Sequence, residues 1–129
     1  MDECLLLFDI DGTLIDAGGA GVGAIRLAVQ DLYGDEIAVP ELDVRGTTDA
    51  ALAQKLLPAV GAEVSPGNIA QLYEAYLIRL REQFQKVSPE AGILSGVREL
   101  LNTLKKEGVV MGLLTGHLEA GAWITLDRF

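Results

Sequence analysis

The chain holds one cysteine, Cys4, and one histidine, His117. A single thiol excludes an internal disulfide framework and a multi-cysteine zinc site, and a single imidazole removes most histidine-rich metal centres. Basic residues are scarce as well: Lys and Arg total 10 against 19 Asp and Glu, for a net charge of −9. An acidic surface repels phosphate backbones and anionic headgroups, so neither nucleic acid nor a membrane is expected as a partner. No apolar run reaches the length that crosses a bilayer. The first residues, Met1-Asp2-Glu3-Cys4, are acidic where a signal peptide is basic, which points to a cytoplasmic location. What is present, 129 residues of which 50% are hydrophobic and 22% charged, suits one domain with a small insertion.

Two short apolar runs stand out. Leu5-Leu6-Leu7-Phe8 and Val109-Val110-Met111-Gly112-Leu113-Leu114 are apolar on both faces, the pattern of parallel strands buried on both sides. Cys4, just ahead of the first, reads as a small apolar filler. Between the strands the periodicity is helical. Asp16 to Gly23, with four glycines, reads as a connector into a helix whose apolar positions are Val22, Ile25, Val29, Leu32 and Tyr33, closed by Gly34. Thr47 or Thr48 caps a short helix that carries Leu52, Leu56 and Leu57 and ends at Pro58. Ser65-Pro66 opens the longest amphipathic helix, with Ile69, Leu72, Tyr73, Tyr76, Leu77, Leu80 and Phe84 on one face. Its aromatic residues fall on the core stripe and read as packing.

A second connector, Ser88 to Gly96, leads into a helix bearing Val97, Leu100, Leu101 and Leu104, with Lys105 and Lys106 in its last turn and Gly108 beyond it. After the second strand, Thr115-Gly116-His117 is a turn, and Leu118, Ala122 and Leu126 mark a last helix. Trp123 on that helix reads as core or interface packing. The order predicts an α/β fold: two parallel strands, with an all-helical block too long for one crossover inserted between them. The domains are then 1–17 with 89–129 as the α/β core, and 18–88 as the insertion.

The chemistry is concentrated in Phe8-Asp9-Ile10-Asp11-Gly12-Thr13-Leu14. Two aspartates spaced by one residue at a strand's C-terminal end point to the same side, and that end of an open α/β sheet is where ligands bind. Carboxylates there need a cation or hydrogen bonds in compensation. A polar turn would explain Asp11 and Gly12 but leaves Asp9 without a purpose.

Asp9-Ile10-Asp11-Gly12-Thr13 resembles the first signature of the haloacid dehalogenase superfamily, and Leu114-Thr115-Gly116 resembles its second motif. The helical block resembles the cap inserted after the first strand in one large subgroup. Gly46-Thr47-Thr48-Asp49 is similar to a cap loop of phosphoglycolate phosphatase-like and β-phosphoglucomutase-like members, and Ser95 to Leu101 resembles the re-entry into the core. The resemblance implies a partial Rossmann-like parallel sheet with an inserted helical cap domain. It also implies a Mg²⁺-dependent phosphohydrolase acting on a small phosphorylated metabolite through an aspartyl phosphate. On it, Asp9 is the nucleophile and Asp11 the general acid and then base. Mg²⁺ sits on a carboxylate oxygen of Asp9 and the carbonyl of Asp11. Thr115 and the Gly116 amide hold the phosphoryl group, Gly12 and Thr13 shape the loop, and Arg45, Thr47 and Asp49 contribute to specificity from the cap. His117 stands where the family often has Asn and reads as a loop residue, with substrate contact as the alternative.

The same resemblance calls for a later lysine and a further acidic pair. From His117 to Phe129 there is no lysine, and the one aspartate, Asp127, lies in a helical segment. The chain thus reads as a C-terminally truncated member whose first strand has an open edge, a hazard for self-association. A phosphomutase is the close functional variant. The alternative of a different class is a non-catalytic product lacking the lysine and the metal-site acids.

Overall fold

The computed structural model describes residues 3–44, 46–86 and 92–129. Among these residues, seven elements follow in the order β1 (Leu5–Phe8), α1 (Ala20–Tyr33), α2 (Asp49–Ala59), α3 (Pro66–Lys86), α4 (Val97–Lys106), β2 (Val110–Leu113) and α5 (Glu119–Arg128). β1 and β2 pair in parallel, with Leu5 opposite Val110 and Phe8 opposite Leu113. The Leu114 amide continues the ladder to the Phe8 carbonyl at 2.8 Å, which lays Thr115 beside the end of β1.

The helical block is the better-packed part. Ala24, Ile25, Ala28 and Val29 of α1, Leu52, Leu56 and Leu57 of α2, and Leu72, Tyr76, Leu80 and Phe84 of α3 form one buried cluster. The caps are local. The Thr48 hydroxyl accepts from the Ala51 amide at 3.0 Å, and the Ser65 hydroxyl from the Asn68 amide at 3.1 Å. The choice between Thr47 and Thr48 falls on Thr48. Two boundaries move. α1 already begins at Ala20, so Gly21 and Gly23 are helical rather than part of a connector. α2 runs one residue past Pro58, so the proline lies in the helix's last turn rather than beyond its end.

The sheet is less covered. Alternation puts Leu5, Leu7 and Val110 on one face, exposed at 58%, 53% and 61%, while Phe8 on the other packs, like Val97, Leu101 and Leu126, against the buried cluster of Ile10, Leu14, Ile15 and Ala122. The expected burial of both faces is therefore corrected: a two-stranded sheet has one layer of helix against one face and none on the other. α4 has no fully buried residue. Cys4 is exposed, not a core filler, because the strand it precedes lacks an outer layer. Trp123 is 61% exposed; α5 turns Gly121, Ala122 and Thr125 inward instead, the small residues that allow close approach to α3. The accessible surface is 8272 Å², against ~6,600 Å² for a compact protein of 13.7 kDa. No helix among the described residues is long and apolar enough to cross a membrane.

The chain leaves and regains the sheet through adjacent segments. The Asp16 amide donates to the Gly92 carbonyl and the Leu94 amide to the Leu14 carbonyl, with Ile15 bridged to Ile93. The loop after β1 and the turn after β2 thus open beneath the helical block.

Candidate active site

Ile10 explains how the two aspartates are aimed. It is fully buried, and its carbonyl accepts from the Leu14 amide at 2.9 Å, so the segment is anchored by the apolar residue between the acids. Asp9 and Asp11 flank it and both project outward into one cavity. Gly12 closes the turn at φ 75°, a left-handed conformation that disfavours any side chain, and its amide donates to the Ile15 carbonyl at 2.8 Å. One oxygen of Asp9, Oδ1, accepts from the Ile10 amide at 2.8 Å.

The cavity has a volume of about 840 Å³ and lies between the strand ends and the helical block. Asp9, Asp11, Gly12, Thr47, Asp49, Thr115 and Gly116 all line it. Thr13 does not, and Arg45 lies outside the described residues. The far wall is apolar and includes Ile25, Leu52, Leu72, Tyr73 and Tyr76. The two tyrosines, read from sequence as packing, thus serve both the core and the cavity wall; helical periodicity marks a buried face but does not tell a filled interior from a hollow one. Burial and the nearby carboxylates of Asp49 and Asp11 push the Tyr76 hydroxyl well above its ordinary range.

The turn after β2 is locked to the start of α2. The Asp49 amide donates to the Gly116 carbonyl at 2.8 Å, and the Leu118 amide donates to Asp49 Oδ2 at 2.9 Å. Gly116 is required sterically: a Cβ there would stand 2.6 Å from the Thr47 carbonyl oxygen. Thr115 Oγ1 accepts from the His117 amide at 3.1 Å, a turn contact that still leaves its hydroxyl proton available.

His117, read from the sequence as a loop residue with substrate contact as the alternative, lines the cavity. Its Nε2 hydrogen-bonds Asp11 Oδ2, and its Nδ1 faces Asp49 Oδ1 at 3.7 Å, an ion-pair separation rather than a hydrogen bond. The Asp11 bond above all, then Asp49, raises the imidazole to about 10 against the opposing effect of burial. Its identity as the one histidine, directly after the second motif, was the available signal; that a residue of α2 faces the ring is a tertiary fact.

Electrostatically the cavity is acidic. Asp9, Asp11, Asp16 and Asp49 line it, and none of its described lining residues is lysine or arginine. No cluster of three or more metal-ligating acids, cysteines or histidines occurs among the described residues. The oxygen donors of Asp9 and Asp11 nonetheless suit a hard cation such as Mg²⁺, which binds through one or two carboxylates and keeps several waters. An anionic ligand would need such a counter-charge to approach Asp9.

The model of haloacid dehalogenase-like hydrolases matches residues 6–129. A curated phosphoglycolate phosphatase of Caulobacter vibrioides is 28% identical, over 98% of this chain and 53% of its own length. Among solved structures, a hydrolase from Pseudomonas syringae is 22% identical with a TM-score of 0.72, over 98% of this chain and 56% of its own. CbbY from Rhodobacter sphaeroides, in complex with phosphate, is 17% identical with a TM-score of 0.72, over 98% and 57%. The chain therefore spans about half the length of the relatives it matches. With its aspartate pair at the end of a parallel strand and the family match running through both motifs, the chain belongs to the haloacid dehalogenase-like hydrolase family.

Proposed function

We propose that this chain carries the nucleophile side of a phosphohydrolase site that takes a small phosphorylated metabolite. The observation that carries the reading is the convergence of Asp9, Asp11 and Thr115 on one cavity at the C-terminal ends of two parallel strands. A relative named for phosphoglycolate hydrolysis and a solved structure holding phosphate support it.

In this reading an Asp9 oxygen attacks phosphorus, and the bond from phosphorus to the ester oxygen breaks. The electron pair leaves on that oxygen, which takes a proton from the Asp11 carboxyl. Asp11, now a carboxylate, removes a proton from water; the water oxygen attacks phosphorus, and the bond to Asp9 breaks to release phosphate and restore the enzyme. Thr115 donates its hydroxyl to a phosphoryl oxygen, with the Gly116 amide beside it. Gly12 keeps the Asp11 turn tight. Residues 18–88 act as the cap, whose apolar wall with Tyr73 excludes water and whose loop at Arg45, Thr47 and Asp49 selects the substrate. Mg²⁺, held by Asp9 and the Asp11 carbonyl, would supply positive charge beside Asp9, where the described lining offers no lysine or arginine.

The test is phosphate release from a generic aryl phosphate by the purified chain, with and without Mg²⁺, beside Asp9→Asn. Release that requires both Mg²⁺ and Asp9 supports the reading. A second reading, a non-catalytic member, is favoured by one observation: among the described residues no lysine lines the cavity, and no three acids, cysteines or histidines are grouped to hold a metal ion. Release no greater than that of Asp9→Asn would establish it instead.

A further inference from the structure

His117 has no part in the steps above, yet it is one of the most restrained side chains of the cavity. Its side chain is only 19% exposed. Its amide is held by Thr115 Oγ1 at 3.1 Å, and Nε2 by Asp11 Oδ2. Nδ1 is buried beside Asp49 Oδ1 at 3.7 Å. The two carboxylates belong to different parts of the chain. Asp11 sits in the loop after β1, and Asp49 is the first residue of α2 in the helical block. Asp49 is fixed in turn by its amide on the Gly116 carbonyl and by its Oδ2 on the Leu118 amide. The imidazole therefore spans a rigid frame from α2 to the turn that carries Asp11.

A carboxyl group that must reach a leaving oxygen needs a fixed position, since a displacement near 1 Å costs on the order of 100-fold in rate. Asp11 alone would not have one, because its side chain is 47% exposed and the Gly12 turn constrains only its backbone. The ring engages Oδ2 and thereby sets the direction of the other oxygen.

We infer that His117 is a positioning residue: it fixes the Asp11 carboxylate through Oδ2 and ties it to the start of α2 through Asp49, so the seating of the helical block sets the acid. The effect on rate rests on the phosphohydrolase reading; the tie itself does not.

Two substitutions separate the ring's two edges. Gln places its amide nitrogen where Nε2 stands and keeps a donor toward Asp11. Asn places its amide near Nδ1 and falls short of Asp11. With aryl phosphate and Mg²⁺, His117→Gln is expected to retain kcat within about threefold, while His117→Asn and His117→Ala lose about 10- to 100-fold in kcat with KM within about twofold. A readout independent of turnover comes from the ring itself. Because the chain has one histidine, its ring N–H proton resonance is unambiguous. It should be visible in the unmodified protein, lost in Asp11→Ala, and shifted in Asp49→Asn. A ring proton indifferent to both substitutions, Gln as impaired as Ala, or a loss confined to KM would each overturn the inference while leaving Mg²⁺- and Asp9-dependent turnover intact. An unmodified chain without turnover, but with the ring proton behaving as described, overturns the phosphohydrolase reading and the positioning role together and leaves a structural joint.

Discussion

The helical block and the two strands of this molecule both carry large apolar side chains, yet those of the helices are far better buried. Leu56, Leu57, Leu72 and Leu80 are essentially inaccessible, whereas Leu5, Leu7, Val110 and Leu113 stand open to solvent. The difference lies in what each element needs. Three helices close on one another, each turning a single stripe inward, so α1, α2 and α3 complete their core with what the chain supplies. A parallel strand has two apolar faces and two hydrogen-bonding edges, and its burial requires further strands and a helical layer on each side. Among the described residues there are two strands and one incomplete layer. The relatives that this chain matches are about twice its length.

The comparison can be broken most strongly from the helical side. Leu57→Ala removes a fully buried side chain from the cluster and is expected to cost about 2–5 kcal/mol, read from urea or thermal unfolding. A smaller loss follows pH. The fold raises His117 from 6.5 to about 10, so the stability linked to it is complete below pH 6.5 and is lost as the pH climbs toward 10. Melting temperatures taken at pH 6 and pH 9.5 should fall in the unmodified protein and fall less in His117→Asn. Thr48→Ala deletes the cap of α2 and should cost about 0.5–2 kcal/mol in the same unfolding measurement.

The smallest effect is expected on the sheet side. Leu7→Glu changes a half-exposed position with no outer layer and should leave unfolding within about 0.5 kcal/mol. Its consequence should appear in association instead. If copies of the chain meet through the open sheet, Leu7→Glu will shift sedimentation toward the monomer. A loss of stability as large as that of Leu57→Ala would show that the exposed face is covered after all.

Much of the cavity lining is legible in the sequence. Asp9 and Asp11 followed from the alternation around Ile10, and Thr115 from its place after a second apolar run; all three face one cavity. Thr13 did not join them, because it follows the glycine turn that redirects the chain. The caps at Ser65 and Thr48 and the closure at Gly34 were legible because they depend on residues a few positions apart. Cys4 as a core filler and Trp123 as core packing misled, because apolar character signals burial only where another layer exists to provide it.

The amino-acid order by itself determined the helices, their caps, the parallel strand pair and the aspartates at its end. These follow from periodicity, from hydrogen bonds between near neighbours, and from the geometry of alternating side chains. Only the tertiary structure decided that Asp49 of α2 meets the turn after β2, that His117 lies between Asp49 and Asp11, and that the tyrosines of α3 wall the same cavity. These contacts join residues many positions apart, and their existence depends on how the helical block seats on the strand ends, which no local pattern encodes.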